Sequence, residues 1–254
     1  MNDFDVSEYR GMILSYGAGV NSTALAILLI NNGWKGDIVF ADTGTEWPDT
    51  YCFMDYFESG WLKPRELEII RLGAEWRRDI NKPSLIDFCT QKCMIPIMAQ
   101  RWCTDRYKLK PIAKFMKEYN IVGDLVGIDA GERHRAITKI RPLVDWGIGR
   151  DDCIGIVENE ALSIPRKSGC YICPFQSDVQ WRTLYEQHPD LYARAEELEK
   201  QCNIKKRKES WKPVAIDIRG ITLEQKRTAF ESQMTLPNID MDSLLKYKPC
   251  ICGI

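Results

Sequence analysis

Apolar residues in this chain fall in short runs separated by longer amphipathic stretches. Met12-Ile13-Leu14 is a run short enough for a buried strand, and Ala24 to Ile30, with Ser22 and Thr23 before it, is long enough for a helix. Between them lies Ser15-Tyr16-Gly17-Ala18-Gly19-Val20-Asn21, so the glycines fall on a strand-to-helix turn. The alternation then repeats. Asp37 to Ala41, Leu67 to Leu72 and Leu125 to Ile128 read as further strands. Thr50 to Ser59, Lys110 to Tyr119 and Asp151 to Leu162 read as the helices between and after them. Strands alternating with helices predict a doubly wound, mostly parallel α/β sheet. From Ile164 the pattern changes. Gly, Pro and Cys punctuate the chain to Phe175, and Gln180 to Gln187, Pro189 to Gln201 and Leu223 to Gln233 read as helices. This predicts an α/β unit over 1–163 and a helical, cysteine-rich segment over 164–254. Residues 1–10 read as a polar, loose arm, and Gly73 to Arg101 gives no clear periodicity.

The glycine turn carries the first candidate chemistry. Glycine lets a backbone approach an anion closely, and the free N–H groups of a helix start point at it. Ser22 or Thr23 can cap the helix and offer a hydroxyl. An ordinary tight turn into a buried helix explains the same residues, so the turn is decided by its company. No Gly-x-x-x-x-Gly-Lys-Ser/Thr run exists in the chain. The dinucleotide fingerprint fits Gly17 and Gly19 but meets Ser22 at its third position. Ser15 through Ser22 match the longer form of a pyrophosphatase loop, Ser-x-Gly-x-Gly-x-Asp/Asn-Ser.

Composition adds two points. The 254 residues carry 35 basic and 36 acidic side chains, so no global charge steers the chain toward nucleic acid or membrane. The acidic start Met1-Asn2-Asp3-Phe4-Asp5 and the lack of a long apolar run predict no secretory leader, no membrane span and a cytoplasmic protein. In a reducing compartment, 10 cysteines point to metal or redox chemistry rather than disulfides. Cys170 and Cys173 have metal-ligand spacing, and Cys103, Cys250 and Cys252 are candidate partners in a site of four thiolates. Cys89 and Cys93 share a face if their stretch is helical. Cys52, Cys153 and Cys202 read as core residues. The run Lys205 to Lys208 reads as a solvated face, with a nucleic-acid contact as the alternative.

Further pieces join the loop in order. Asp42-Thr43-Gly44 leads to Glu46, Pro48 and Thr50, and Cys103-Thr104 precedes Lys108 and Pro111. Gly127-Ile128 precedes Glu132 and Arg135, and Lys167-Ser168-Gly169 leads into Cys170-Tyr171-Ile172-Cys173-Pro174-Phe175. Together these resemble the phosphoadenosine phosphosulfate (PAPS) reductase family of the adenine nucleotide alpha-hydrolase, or PP-loop, superfamily, over about Ile13 to Trp181. The nearest likeness is to a reductase-like branch of bacteria and their phages. The enzymes that insert sulfur into DNA phosphorothioates are cousins of that branch.

The resemblance implies an adenine nucleotide, ATP or PAPS, with its phosphates on Ser15, Gly17, Gly19, Asn21, Ser22 and Thr23. It places Asp42, Thr43 and Gly44 beside the ribose or adenine, and Gly127 beside the base. Lys108, Arg133 and Arg135 become candidate anion ligands, and Glu132 either orients Arg135 or holds Mg2+. The cousins imply a [4Fe–4S] cluster, with Zn2+ as the alternative. One implied activity is ATP cleavage with adenylation and sulfur transfer. The other is PAPS reduction with a thioredoxin-like partner and Cys252 as nucleophile. A nucleotide-binding module with structural zinc is the third reading. Two features depart from the family. Asn21 stands where Asp is common, so a carboxylate near phosphate or Mg2+ is missing, and the ending Ile251-Cys252-Gly253-Ile254 lacks the family's Glu and His.

Overall fold

The computed structural model describes residues 4–73, 83–98, 101–135, 138–205 and 214–232. Its centre is a parallel sheet of four strands, β1 Met12–Ser15, β2 Ile38–Phe40, β3 Ile69–Arg71 and β4 Gly123–Val126, in the order β3-β2-β1-β4. Successive side chains leave a strand on opposite faces. Leu14, Ile38, Phe40 and Leu125 therefore join one apolar cluster, while Ile13 and Val39 join another. A parallel sheet buried on both faces needs continuous apolar strands, which is what the short runs supply.

Helices cover both faces. Helix α1, Val20–Asn31, is buried from Val20 to Leu29, and it packs between the sheet and α7, Arg150–Asn159. Helix α2, Pro48–Phe57, adds Phe53, Met54 and Phe57 to the same core. Helix α5, Lys110–Glu118, covers the opposite face through Ile112 and Phe115. A single turn, α4 Trp102–Thr104, and a π-helical turn, Asp105–Leu109, run directly into α5. The short α6, Pro142–Asp145, follows β4.

A second core stands apart from the sheet. Helix α3, Leu85–Lys92, packs with α8 Asp178–Gln187, α9 Pro189–Lys205 and α10 Leu223–Glu231 around Trp181, Leu184, Tyr192 and Leu198. Leu85, Phe88, Ile95 and Tyr107 thus share a core with residues beyond 170. Among the described residues no helix is long and apolar enough to cross a membrane.

Some expectations need correcting. Residues 4–9 are not a loose arm. Phe4 stacks on Trp146 with centroids 4.4 Å apart, and Val6 and Tyr9 are buried in the main core. Cys52 is exposed on α2, whereas Cys153 and Cys202 are buried as expected. Helix α3 ends before Cys93, which turns left-handed at φ 46°, so Cys89 and Cys93 do not form a helical pair. The basic residues 206–208 and the tail with Cys250 and Cys252 lie outside the described residues.

Candidate functional site

Strands β2 and β3 lie on one side of β1, and β4 lies on the other. The direction of winding reverses between β1 and β4, and open α/β sheets bind ligands at the carboxyl ends of such a pair. Ser15 ends β1 and Val126 ends β4. Both line a cavity of about 110 Å³ together with Gly17, Gly19, Asn21, Ser22 and Gly127.

The turn is held by its own side chains. Ser22 Oγ accepts from the N–H groups of Gly17 at 3.3 Å and Gly19 at 3.2 Å, and donates to the Gly19 carbonyl at 3.0 Å. Thr23 Oγ1 also donates to that carbonyl, at 3.0 Å, but Thr23 is fully buried and does not line the cavity. Ala18 takes the left-handed conformation, φ 54°, that glycine adopts most readily. Gly127 is needed for close approach. A Cβ there would lie 2.6 Å from Ser22 Cα and 2.7 Å from Ser22 N. A Cβ on Gly19 would lie 3.1 Å from Ser168 Oγ, because Lys167-Ser168-Gly169 passes over the turn.

The rim is cationic. Lys108, Arg135, Arg150 and Lys167 line the cavity, and Glu132 is the carboxylate among its lining residues. Glu132 Oε2 accepts from Arg135 at 2.6 Å, with both side chains largely buried. Arg133 is exposed and lies outside the lining. Fixed guanidinium and ammonium groups beside a helix N-terminus suit a multiply charged phosphate.

Asp42, Thr43 and Gly44 do not line this cavity. Asp42 Oδ1 instead accepts from Gly44 N–H and from Tyr51 Oη, both at 2.7 Å. Thr43 lines a smaller neighbouring cavity of about 40 Å³, shared with Cys103, Cys170 and Cys173. Lys108 and Gly169 line both. Buried Glu46 connects them. Its Oε1 accepts from Thr43 Oγ1 at 3.2 Å and Cys170 Sγ at 3.5 Å, with Lys108 Nζ 3.4 Å away.

Burial first, and then the Glu46 carboxylate, pushes the Cys170 thiol well above its ordinary range. Lys108 and the hydroxyls of Thr43 and Thr45 pull the other way. Burial likewise raises Cys103, against Thr104 and Lys108. Cys170 is thus a buried thiol that donates to the Glu46 carboxylate. Among the described residues, no group of three His, Cys, Asp or Glu side chains converges as it would on a metal ion. The cysteines brought into one cavity do not by themselves fit a four-thiolate metal or cluster site.

Arg150 and Asp129 escaped the sequence reading. Arg150 opens α7, and Asp129 follows β4; each becomes visible only when those elements meet Asn21. Glu46 and Lys167 stood in the motifs without a role. An available signal for Asp129 was Asp-Ala-Gly after a strand, a sequence that favours a side-chain-capped turn.

This arrangement defines an α/β protein with a glycine turn and a cationic rim at the switch point of a parallel sheet. A family model, the phosphoadenosine phosphosulfate reductase domain, matches residues 11–147, more than half of the chain, and the chain belongs to that family. It is 24% identical over 202 residues to uncharacterized protein MJ0973 of Methanocaldococcus jannaschii, across 70% of this chain and 45% of the relative. Uncharacterized protein MJ0066 of the same organism is 29% identical over 138 residues, across 52% of this chain and 25% of the relative. The chain thus spans less than half the length of either relative. The crystal structure of phosphoadenylyl-sulfate (PAPS) reductase from Candida auris, in a phosphate complex, has a TM-score of 0.41 to this chain at 15% identity, covering 60% of this chain and 74% of that one.

Proposed function

We propose that the chain is a PP-loop enzyme that binds an adenine nucleotide at the switch-point cavity and acts in sulfur chemistry. The observation that carries this is the meeting of the α1 N-terminus with Lys108, Arg135, Arg150 and Lys167 around one cavity. Phosphate binding is assigned to 1–163 with Lys167 added from the C-terminal segment, and cysteine chemistry to 164–254 with Cys103 contributed across that boundary.

The preferred substrate is ATP. An acceptor oxygen attacks the α-phosphorus, pyrophosphate leaves, and an adenylated acceptor forms. The terminal sulfur of a persulfide donor then displaces AMP, leaving an acceptor–S–S–donor link, and an external thiol attacks the donor-side sulfur, releasing the thio-acceptor and ending in a disulfide with the donor. The loop and its cations stabilise the charge that builds on the phosphate oxygens. Asp129 and Glu132 already hold hydrogen-bond donors, so Mg2+ is assigned to the nucleotide rather than to a dedicated protein cage. A [4Fe–4S] cluster or Zn2+ held by Cys103, Cys170 and Cys173 would need Cys250 or Cys252, from outside the described residues, as the fourth thiolate. The acceptor could be a nucleic acid.

The family's name favours a second reading. In that reading Cys252 attacks the sulfur of PAPS, adenosine 3′,5′-bisphosphate leaves, and a thioredoxin-like dithiol releases sulfite from the S-sulfocysteine while becoming a disulfide.

Two assays separate the readings. With Mg2+ and ATP, slow release of AMP and pyrophosphate is expected. With PAPS and thioredoxin, little sulfite is expected, and robust sulfite that Cys252→Ser abolishes would select the reductase. Gly19→Val should weaken ATP binding at least tenfold by calorimetry, because its side chain would crowd Ser168 and the phosphate path. Unchanged affinity in a folded Gly19→Val protein places the nucleotide elsewhere.

A further inference from the structure

Position 21 holds an amide where the loop pattern favours a carboxylate, and the structure puts a carboxylate directly behind it. Asn21 Nδ2 donates to Asp129 Oδ2 at 2.7 Å. Asp129 is 3% exposed, and its Oδ1 accepts from the N–H groups of Gly131 at 2.8 Å and Glu132 at 3.2 Å. An amide has one donating and one accepting end. With three N–H donors converging on it, Asp129 acts as acceptor, so the NH2 end of Asn21 must face it. The Asn21 carbonyl is thereby turned toward Arg150, whose Nη1 lies 3.4 Å away. Asn21 and Arg150 line the cavity, whereas Asp129 does not.

We propose that Asp129 is a positioning residue that locks the Asn21 amide and, through it, holds the Arg150 guanidinium on the rim as a phosphate ligand. The phosphate part rests on the reading of the cavity given above; the lock itself does not. The negative charge that this loop lacks has moved one layer back, from the cavity wall to the end of β4. Position 21 is then not open to the common aspartate. Asn21→Asp would set two carboxylates 2.7 Å apart with no donor between them. The double exchange Asn21→Asp/Asp129→Asn should be tolerated. Its new amide can accept the two backbone N–H groups through oxygen and donate to the new carboxylate through nitrogen. Arg150, Asp152 and Cys153 from α7, and Glu132 with Arg135 from the turn after β4, are the other charged or titratable groups around the pair. The Cys153 thiol is pushed up to about 12 by burial and then by Asp129.

The test compares the parent, Asn21→Asp, Asp129→Asn and the double exchange by urea unfolding at acid and neutral pH and by calorimetry with Mg2+ and ATP. Asn21→Asp should lose stability, and lose more at neutral pH. Its folded carboxylate pair holds a proton more tightly than the unfolded chain does, so stability falls as pH rises. The double exchange should recover most of that loss. ATP affinity should drop at least tenfold in Asn21→Asp and return to within a few-fold of the parent in the double exchange. If Asn21→Asp does not fold, rescue of folding by the second substitution is the readout. Asn21→Asp behaving like the parent, or a double exchange no better than the single one, overturns the lock. A parent that binds no ATP while the unfolding rescue persists sinks the nucleotide reading and supports the lock.

Discussion

The glycine turn and the cysteine cavity lie side by side and are made in different ways. The turn is one contiguous stretch whose working parts are backbone groups at the start of α1. The cysteine cavity is assembled from side chains far apart in sequence, among them Thr43, Leu85, Pro96, Cys103, Lys108, Cys170 and Cys173, and it leans on the second core. A site made of backbone accepts changes of side chain, as Ala18 shows, but has no room for added atoms. A site made of distant side chains depends on the packing that brings them together.

The largest expected effect tests whether the two can be separated. Trp181 is fully buried at the centre of the second core, and Trp181→Ala should cost about 3–5 kcal/mol in urea unfolding. Under conditions where the variant stays folded, ATP affinity should move only a few-fold. Parallel loss of nucleotide binding would show that the turn relies on the second core far more than its own hydrogen bonds suggest.

Gly127→Ala strikes the other side. Its Cβ would meet Ser22 backbone at 2.6 Å, which cannot yield as a side chain would. The expected cost is about 3 kcal/mol, at the top of the usual range for overpacking, together with weaker ATP binding. Equal stability and affinity would mean that α1 shifts without consequence.

The second core should also carry the pH dependence. Burial raises Glu199 from its usual value to about 7, with Glu196 and Asp217 adding to the rise and the N–H groups of Ile216 and Leu223 opposing it. Glu199 is therefore protonated over a wider pH range in the folded chain than in the unfolded one. Its contribution is fully present below about pH 4.5 and is lost as pH rises through 7. Relative to the parent, Glu199→Gln should remove about 2 kcal/mol of that decline in urea titrations between pH 4 and 8. A parent whose profile matches that of Glu199→Gln contradicts the assignment.

The smallest effect sharpens the view of the turn. Ala18→Gly relieves a left-handed alanine and should stabilise the chain by about 1 kcal/mol, less the entropy that glycine adds to the unfolded state. A destabilised variant would mean that the buried Ala18 methyl contributes more through packing than its backbone costs.

The same contrast explains what could be read in advance. Every strand lies within or beside its expected run, because a buried parallel strand is a local pattern of apolar residues. The order of the strands and the pairing of β1 with β4 are not local, yet the glycine turn and Gly127 marked where they would meet. Helix α3 was lost in a stretch of Trp, Cys and Arg, although Ser84 caps it by accepting from Asp87 N–H. That serine was a legible start signal. Arg150 was not legible, since its role exists only through Asn21, 129 positions away. Phe4, Val6 and Tyr9 were not legible as core, because Asp5, Ser7 and Glu8 between them break the apolar pattern.

The passage of Lys167-Ser168-Gly169 over the glycine turn bears on how the chain could be divided. The family match ends at 147, before those residues, although they line the same cavity as Gly17 and Gly19. A fragment ending at 163 would keep the floor of the cavity and lose its roof. It would also lose Lys167 and the antiparallel bridge between Glu46 and Cys170 that pins this segment to the end of β2. The smallest heritable unit of this fold is therefore longer than the stretch that names its family. Transplanting that stretch alone onto another protein would carry the loop without the surface that closes over it.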